Sequence, residues 1–123
     1  IRIGIFALGA ELKGLVMEEQ YKGVKYQDPV KTVKQYEKLL KKQKKCDVIV
    51  CLSHLGSDST STKVNDFQVA KQSEYVDVFI GGHSHTLLEN VKTSNAKGKP
   101  VLIAQMGKSG LFLGRVDLYL AKD

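Results

Sequence analysis

Three histidines are the only imidazoles in the chain, and each stands just past a run that reads as a buried strand. His54 follows Asp47-Val48-Ile49-Val50-Cys51-Leu52-Ser53, while His83 and His85 follow Tyr75 to Ile80 inside Gly81-Gly82-His83-Ser84-His85. Neutral imidazole is the commonest protein metal ligand, and two of them one residue apart can address the same ion or two adjacent ions. The paired glycines suit a turn that must take positive φ or bring its backbone close to a site. A single loop histidine is more often a surface group than a ligand. Three of them at strand ends, with none elsewhere, make a shared metal site the sharper reading.

For that site to form, the strands must lie side by side and point the same way. Ile1 to Leu8 reads as an apolar strand, followed by a loop-rich stretch from Gly9 to Gln27 with a short strand near Gly14 to Met17. Asp28-Pro29 is a helix start, Asp as N-cap and Pro at the first helical position, and the helix is expected to run to about Lys44. Asp47 to Leu52 is β-branched and almost continuously apolar, the pattern of a strand buried on both faces. Ser53 to Lys63 is a polar loop, a second helix is expected over Asp66 to Ser73, and Tyr75 to Ile80 is another buried strand. Thr86 to Val91, Val101 to Met106 and Leu113 to Leu120 read as further strands, joined by turns around Asn95 and around Gly107-Lys108-Ser109-Gly110. The first part is thus β-α-β-α-β, which implies parallel strands with right-handed crossovers, and the last third an antiparallel meander. In an open α/β sheet, ligands collect outside the carboxyl ends of the strands, so two parallel strands would deliver all three imidazoles to one edge.

The chain has 123 residues and an ordinary globular composition, which fits one domain with one core. No run approaches the roughly 20 continuous apolar residues of a membrane-spanning helix, and no signal peptide is present. The chain begins Ile1-Arg2 and enters a strand at once, as expected of a processed product or a segment of a longer polypeptide. The net charge of +6 has a local source: seven lysines against Glu37 between Lys31 and Lys45. Val30, Val33, Tyr36, Leu39 and Leu40 there are spaced for one apolar helix face, so the lysines read as its solvated side. A nucleic-acid patch would want arginines and interleaved aromatics, and no nucleic-acid partner is expected. Cys46 and Cys51 should point to opposite faces and stay unbridged, as packing residues.

Val48-Ile49-Val50-Cys51-Leu52-Ser53-His54-Leu55-Gly56, then Asp66 and Ala70 on a helix, then Val76-Asp77-Val78-Phe79-Ile80-Gly81-Gly82-His83-Ser84-His85, resemble the later motifs of the calcineurin-like metallophosphoesterases. The branch they resemble is the bacterial 5′-nucleotidases and UDP-sugar hydrolases. The ending, Val101-Leu102-Ile103-Ala104-Gln105-Met106-Gly107 through Leu113-Gly114-Arg115-Val116-Asp117-Leu118, is similar to the closing hairpin of that domain, and Ile3-Gly4-Ile5-Phe6 to a strand from its middle. The resemblance covers nearly the whole chain, and the Ser-His-Leu-Gly and Gly-Gly-His-Ser-His pair, about thirty residues apart, is its specific part.

The resemblance implies an α/β fold with a mixed β-sheet and flanking helices, half of a four-layer α-β-β-α metallophosphatase sandwich, with residues 1–123 as the carboxyl-terminal portion of the domain. It implies a hydrolase of phosphate monoesters of nucleotides, periplasmic or secreted, with two divalent ions of the Zn, Mn or Co kind. His54 and His83 would bind one ion and His85 the other, and an acidified metal-bound water would attack phosphorus. The family's earlier motifs, an Asp-x-His pair, a metal-bridging Asp and an Asn-His pair, are not among these residues. Asp58, Asp66 and Asp77 do not stand in their contexts; Asp66 reads as a helix-start residue and Asp77 as part of a strand or turn. Two dications about 4 Å apart repel by on the order of 16 kcal/mol at an effective dielectric near 20, which three neutral ligands do not offset. The catalytic residues and the acidic ligands are therefore expected in the amino-terminal half of the same domain, and the isolated chain is expected to be inactive.

Other signals point away from chemistry. Gly107-Lys108-Ser109 lacks the upstream glycine and following helix of a P-loop. Ser53 and Ser109 lack the strand–elbow–helix context of a nucleophilic serine. Ser57 to Thr62 reads as a solvated loop at the mouth of the site, and the five tyrosines as structural. Two alternatives to the enzyme remain: a non-catalytic metallophosphatase-like binding or scaffold domain, and a hydrolase holding a single zinc on all three histidines.

Overall fold

The strand at the amino terminus, β1 (Ile3–Leu8), alternates exposed and buried side chains, the period of two of a half-buried strand. It opens a five-stranded sheet of order β1-β2-β3-β5-β4, seen in a computed structural model that describes residues 1–58, 60 and 63–121. β2 (Val48–Ser53) runs parallel to β1, with Ile3 opposite Val48 and Leu8 opposite Ser53. β3 (Val78–Ile80) runs parallel to β2, and β5 (Pro100–Met106) parallel to β3. β4 (Leu87–Ser94) closes the sheet as an antiparallel partner of β5 with an irregularity between Leu88 and Val91.

The mixed sheet is therefore present, but the closing meander is not. Residues 111–121 form no strand. Both edges of β5 are occupied, by β3 and β4, so the expected pairing of a last strand with β5 cannot form. Of the alternating apolar residues there, Leu118 and Leu120 stay 46% and 51% exposed. Near Gly14 to Met17 the expected strand is only a bridge between Lys13 and Val16, followed by the four-residue helix α1 (Glu18–Tyr21).

Helix α2 (Pro29–Lys38) starts as its sequence dictates, Asp28 accepting the Lys31 backbone N–H at 2.8 Å. It continues into a π-helical turn, Leu39–Gln43, in which the Lys44 N–H reaches back to Leu39. Helix α3 (Asp66–Gln72) begins with a capping box: Asn65 accepts from the Gln68 backbone, and the Gln68 side chain accepts from the Asn65 N–H. Asn65 is the cap and Asp66 the first helical residue, as expected.

Val33, Val69 and Ala70 from the two helices join Phe6, Leu8, Ile49, Cys51, Phe79, Val101 and Ile103 in one core on one face of the sheet. The opposite face is less covered. Ile3 and Ile5 are exposed, and Leu52 and Ile80 retain 44% and 45% of their surface, so β2 and β3 are not buried on both sides as their composition suggested. Cys46 and Cys51 are both free and buried in the one core, so they lie on one side of the sheet and not on opposite faces, because Cys46 precedes β2 and is not bound by its alternation. Among the described residues, no helix is long and apolar enough to cross a membrane.

Candidate functional site

β2 and β3 are neighbours with a common direction, so the residues that follow them emerge at the same edge of the sheet. His54 leaves β2 with its backbone N–H bonded to the Leu8 carbonyl at 2.8 Å. His83 follows β3 through Gly81 and Gly82. The two rings lie 5.2 Å apart, centre to centre, and meet edge-on at 65°. Gly82 is needed for this approach: a Cβ there would stand 2.9 Å from His54 Nδ1, closer than real Cβ contacts. The expected positive φ falls elsewhere, on His83 (76°) and His85 (55°) themselves. Non-glycine residues in the left-handed region are uncommon and cluster at functional sites.

His54 is exposed, His83 half-buried and His85 exposed. The structure brings the first two together; among the described residues, no three His, Cys, Asp or Glu side chains gather so as to hold a metal ion. Two imidazoles bound at ~2.0 Å to one tetrahedral ion place their ring centres roughly 5 Å apart, which is the spacing of the His54 and His83 rings. The set as it stands does not fit a two-ion centre, and a single ion held by all three histidines is not what this arrangement offers.

Behind the pair lies a polar network that was not among the expected site residues. Asp66, placed at the first turn of α3 and expected from sequence only as a helix-start residue, is fully buried. Its Oδ1 accepts the Ser53 hydroxyl and its Oδ2 the Ser57 hydroxyl, the latter at 3.0 Å. Gln105, also buried, donates from Nε2 to Ser57 Oγ (3.2 Å) and to the Gly82 carbonyl (3.0 Å). Its Oε1 accepts the Ser84 hydroxyl (3.0 Å) and the Thr86 backbone N–H (2.7 Å). The Ser57 N–H in turn donates to Ser84 Oγ at 2.9 Å. Burial raises the Asp66 carboxyl above its ordinary range, while the two serine hydroxyls and the nearby His54 and His83 oppose the rise. Burial and the Asp66 charge together push the Cys51 thiol up.

Two signals in the sequence point at this network. Gln105 interrupts an otherwise apolar strand, and a buried polar residue is the informative kind. Asp66 follows Asn65, which already caps the helix, so its carboxylate is free for other work. Ser57, expected in a solvated loop, is instead buried; Ser59, Ser61 and Thr62 of that loop lie outside the described residues.

Beside His83 opens a cleft of about 560 Å³, walled by Leu15, Tyr26, Leu55, Lys63 and Val64. Tyr26, expected from sequence to be structural, is part of that wall.

Helices packed on a mixed sheet are typical of the metallophosphoesterase fold. The comparisons agree at that level. The chain is 32% identical over 97 residues to the trifunctional nucleotide phosphoesterase protein YfkN of Bacillus subtilis, covering 79% of this chain and 6% of that protein. It is 31% identical over 119 residues to an apyrase of Tabanus yao, covering 81% of this chain and 20% of the apyrase. The crystal structure of a 5′-nucleotidase precursor from Thermus thermophilus matches with a TM-score of 0.56 and 31% identity, over 65% of this chain and 17% of that one. No model of a known protein family matches the chain. The chain thus spans 6% and 20% of the two curated relatives. It is distantly related to the calcineurin-like metallophosphoesterases and 5′-nucleotidase superfamily of hydrolases.

Proposed function

We propose that the chain supplies the histidine side of a metal-dependent phosphohydrolase of the 5′-nucleotidase type. The observation that carries this reading is the His54–His83 pair, set at the ends of adjacent parallel strands with its rings 5.2 Å apart. In this reading His54 and His83 hold one divalent ion and His85 serves a second. The carboxylates that a two-ion centre needs come from the amino-terminal half of the domain, outside these 123 residues. The exposed apolar side chains of Ile3, Ile5, Leu52 and Ile80 then pack against the second sheet of a four-layer sandwich.

Divalent ions so held would polarise phosphoryl oxygens and acidify a water molecule near neutral pH. The chain's own contribution is orientation. Gly82 lets His54 approach the His83 loop, and the Ser57–Gln105–Ser84 bonds fix that loop against the turn after β2. A phosphate ester bound at the pair would have the cleft along Tyr26 and Leu15 available for its organic part.

The test is phosphate release from adenosine 5′-monophosphate by the polypeptide translated from the intact gene, in Mn²⁺ or Zn²⁺. His54→Ala and His83→Ala should each lower kcat/KM by about 100-fold or more. Wild-type turnover that survives both substitutions would contradict the reading. A scaffold without chemistry would release no phosphate at all.

A further inference from the structure

We propose that Asp66 is a positioning residue: its buried carboxylate grips Ser53 and Ser57, fixes the His54 turn against the His83 loop, and so holds the two imidazoles in contact. The consequence for metal binding rests on the function proposed above; the geometry does not. The two serines flank His54, one before it and one three residues after it. Ser57 is also where the second loop attaches, through Gln105 Nε2 at its hydroxyl and Ser84 Oγ at its backbone N–H. Ser84 is the residue next to His83, and Gln105 holds the Gly82 carbonyl just before it. Asp66 therefore touches the one residue that both histidine-bearing loops share.

Its position is built rather than incidental. The capping box of α3 is complete without it, since Asn65 and Gln68 bond each other's backbone N–H. A further bond ties the Asp66 backbone N–H to the Gly56 carbonyl at 2.8 Å. Gly81 is required beside it, because a Cβ there would stand 2.6 Å from Asp66 Oδ2. Burying a carboxylate is costly unless its oxygens are bonded, and both oxygens are met by hydroxyls that belong to the His54 turn. Asparagine in its place would keep the shape and one acceptor. It would turn an NH₂ group onto a serine hydroxyl, and on the Ser57 side that oxygen already accepts from Gln105.

The experiment uses the 123-residue chain with labelled histidine, comparing wild type, Asp66→Asn, Ser57→Ala and, as a control, Glu37→Gln, a buried carboxylate that bonds the Glu74 and Tyr75 backbone instead. Two quantities are read: the nuclear Overhauser contact between the His54 and His83 rings, and the dissociation constant for Co²⁺ alone. Asp66→Asn and Ser57→Ala should keep a folded amide spectrum, lose the ring contact and bind Co²⁺ about 10-fold or more weakly. Glu37→Gln should change neither. If Asp66→Asn does not fold, Ser57→Ala decides the question by the same two readings. The proposal is overturned if the ring contact survives in the folded variants, or if Glu37→Gln abolishes it equally. A wild-type chain that shows the ring contact, loses it in Asp66→Asn and binds no Co²⁺ would uphold the positioning role and contradict the metal reading.

Discussion

Two carboxylates among the described residues are fully buried, and they are met differently. Asp66 has both oxygens bonded to hydroxyls. Glu37, on α2, accepts the Glu74 and Tyr75 backbone N–H groups at Oε2, at 2.8 and 2.9 Å, and leaves Oε1 without a partner among the described residues. Burial raises the Glu37 carboxyl above its ordinary range, against the pull of those N–H bonds. The folded state then holds a proton that the unfolded state releases, so Glu37 favours folding below the ordinary glutamate range and loses that contribution as pH rises through its raised value. Glutamine keeps an oxygen for the two N–H groups and carries no charge. Glu37→Gln should therefore flatten the decline of stability as pH rises above the ordinary glutamate range, measured by urea unfolding at each pH. A decline as steep as that of the wild type would contradict this account. At this scale the approach of His54 to His83 was legible, because their type and place past adjacent strand ends announce it. Asp66 and Gln105 were not, because their roles depend on groups brought together from positions 53, 57, 84 and 105 by the sheet.

At the scale of elements, the first three of the four parallel strands and the two main helices were readable from apolar runs and from the Asp28-Pro29 start. The last strand was not, because alternation at Val116, Leu118 and Leu120 reports only a capacity to cover an apolar layer, and β5 offers no free edge. The same limit applies to the face carrying Ile3, Ile5, Leu52 and Ile80: its residues suggest burial, and among the described residues they stay open. Covering each of these half-exposed side chains is worth roughly 1 kcal/mol, enough in sum to drive association. β1 is an edge strand as well, and open apolar edges pair with other chains. The isolated 123-residue chain should therefore self-associate as concentration rises, by light scattering after size exclusion. Ile3→Lys with Ile5→Lys should restore a monomer. A wild-type chain that stays monomeric at high concentration would contradict the packing of this face against a second sheet.

For the molecule as a whole, the fold has one job at its carboxyl edge: it delivers two loops from adjacent strands to one place and ties them together from behind. Ser53, Ser57, Ser84, Asp66 and Gln105 form that tie, and His54 and His83 stand in front of it. The sheet, the core under α2 and α3, and the glycines at 81 and 82 are what permit it. The most direct measurement is anomalous diffraction from crystals of the protein grown with Co²⁺, recorded at the metal's absorption edge. The account predicts a peak between the two rings, about 2.1 Å from a nitrogen of His54 and a nitrogen of His83. Ordered His54 and His83 rings with no peak between them, and a Co²⁺ peak only at other residues, would contradict it.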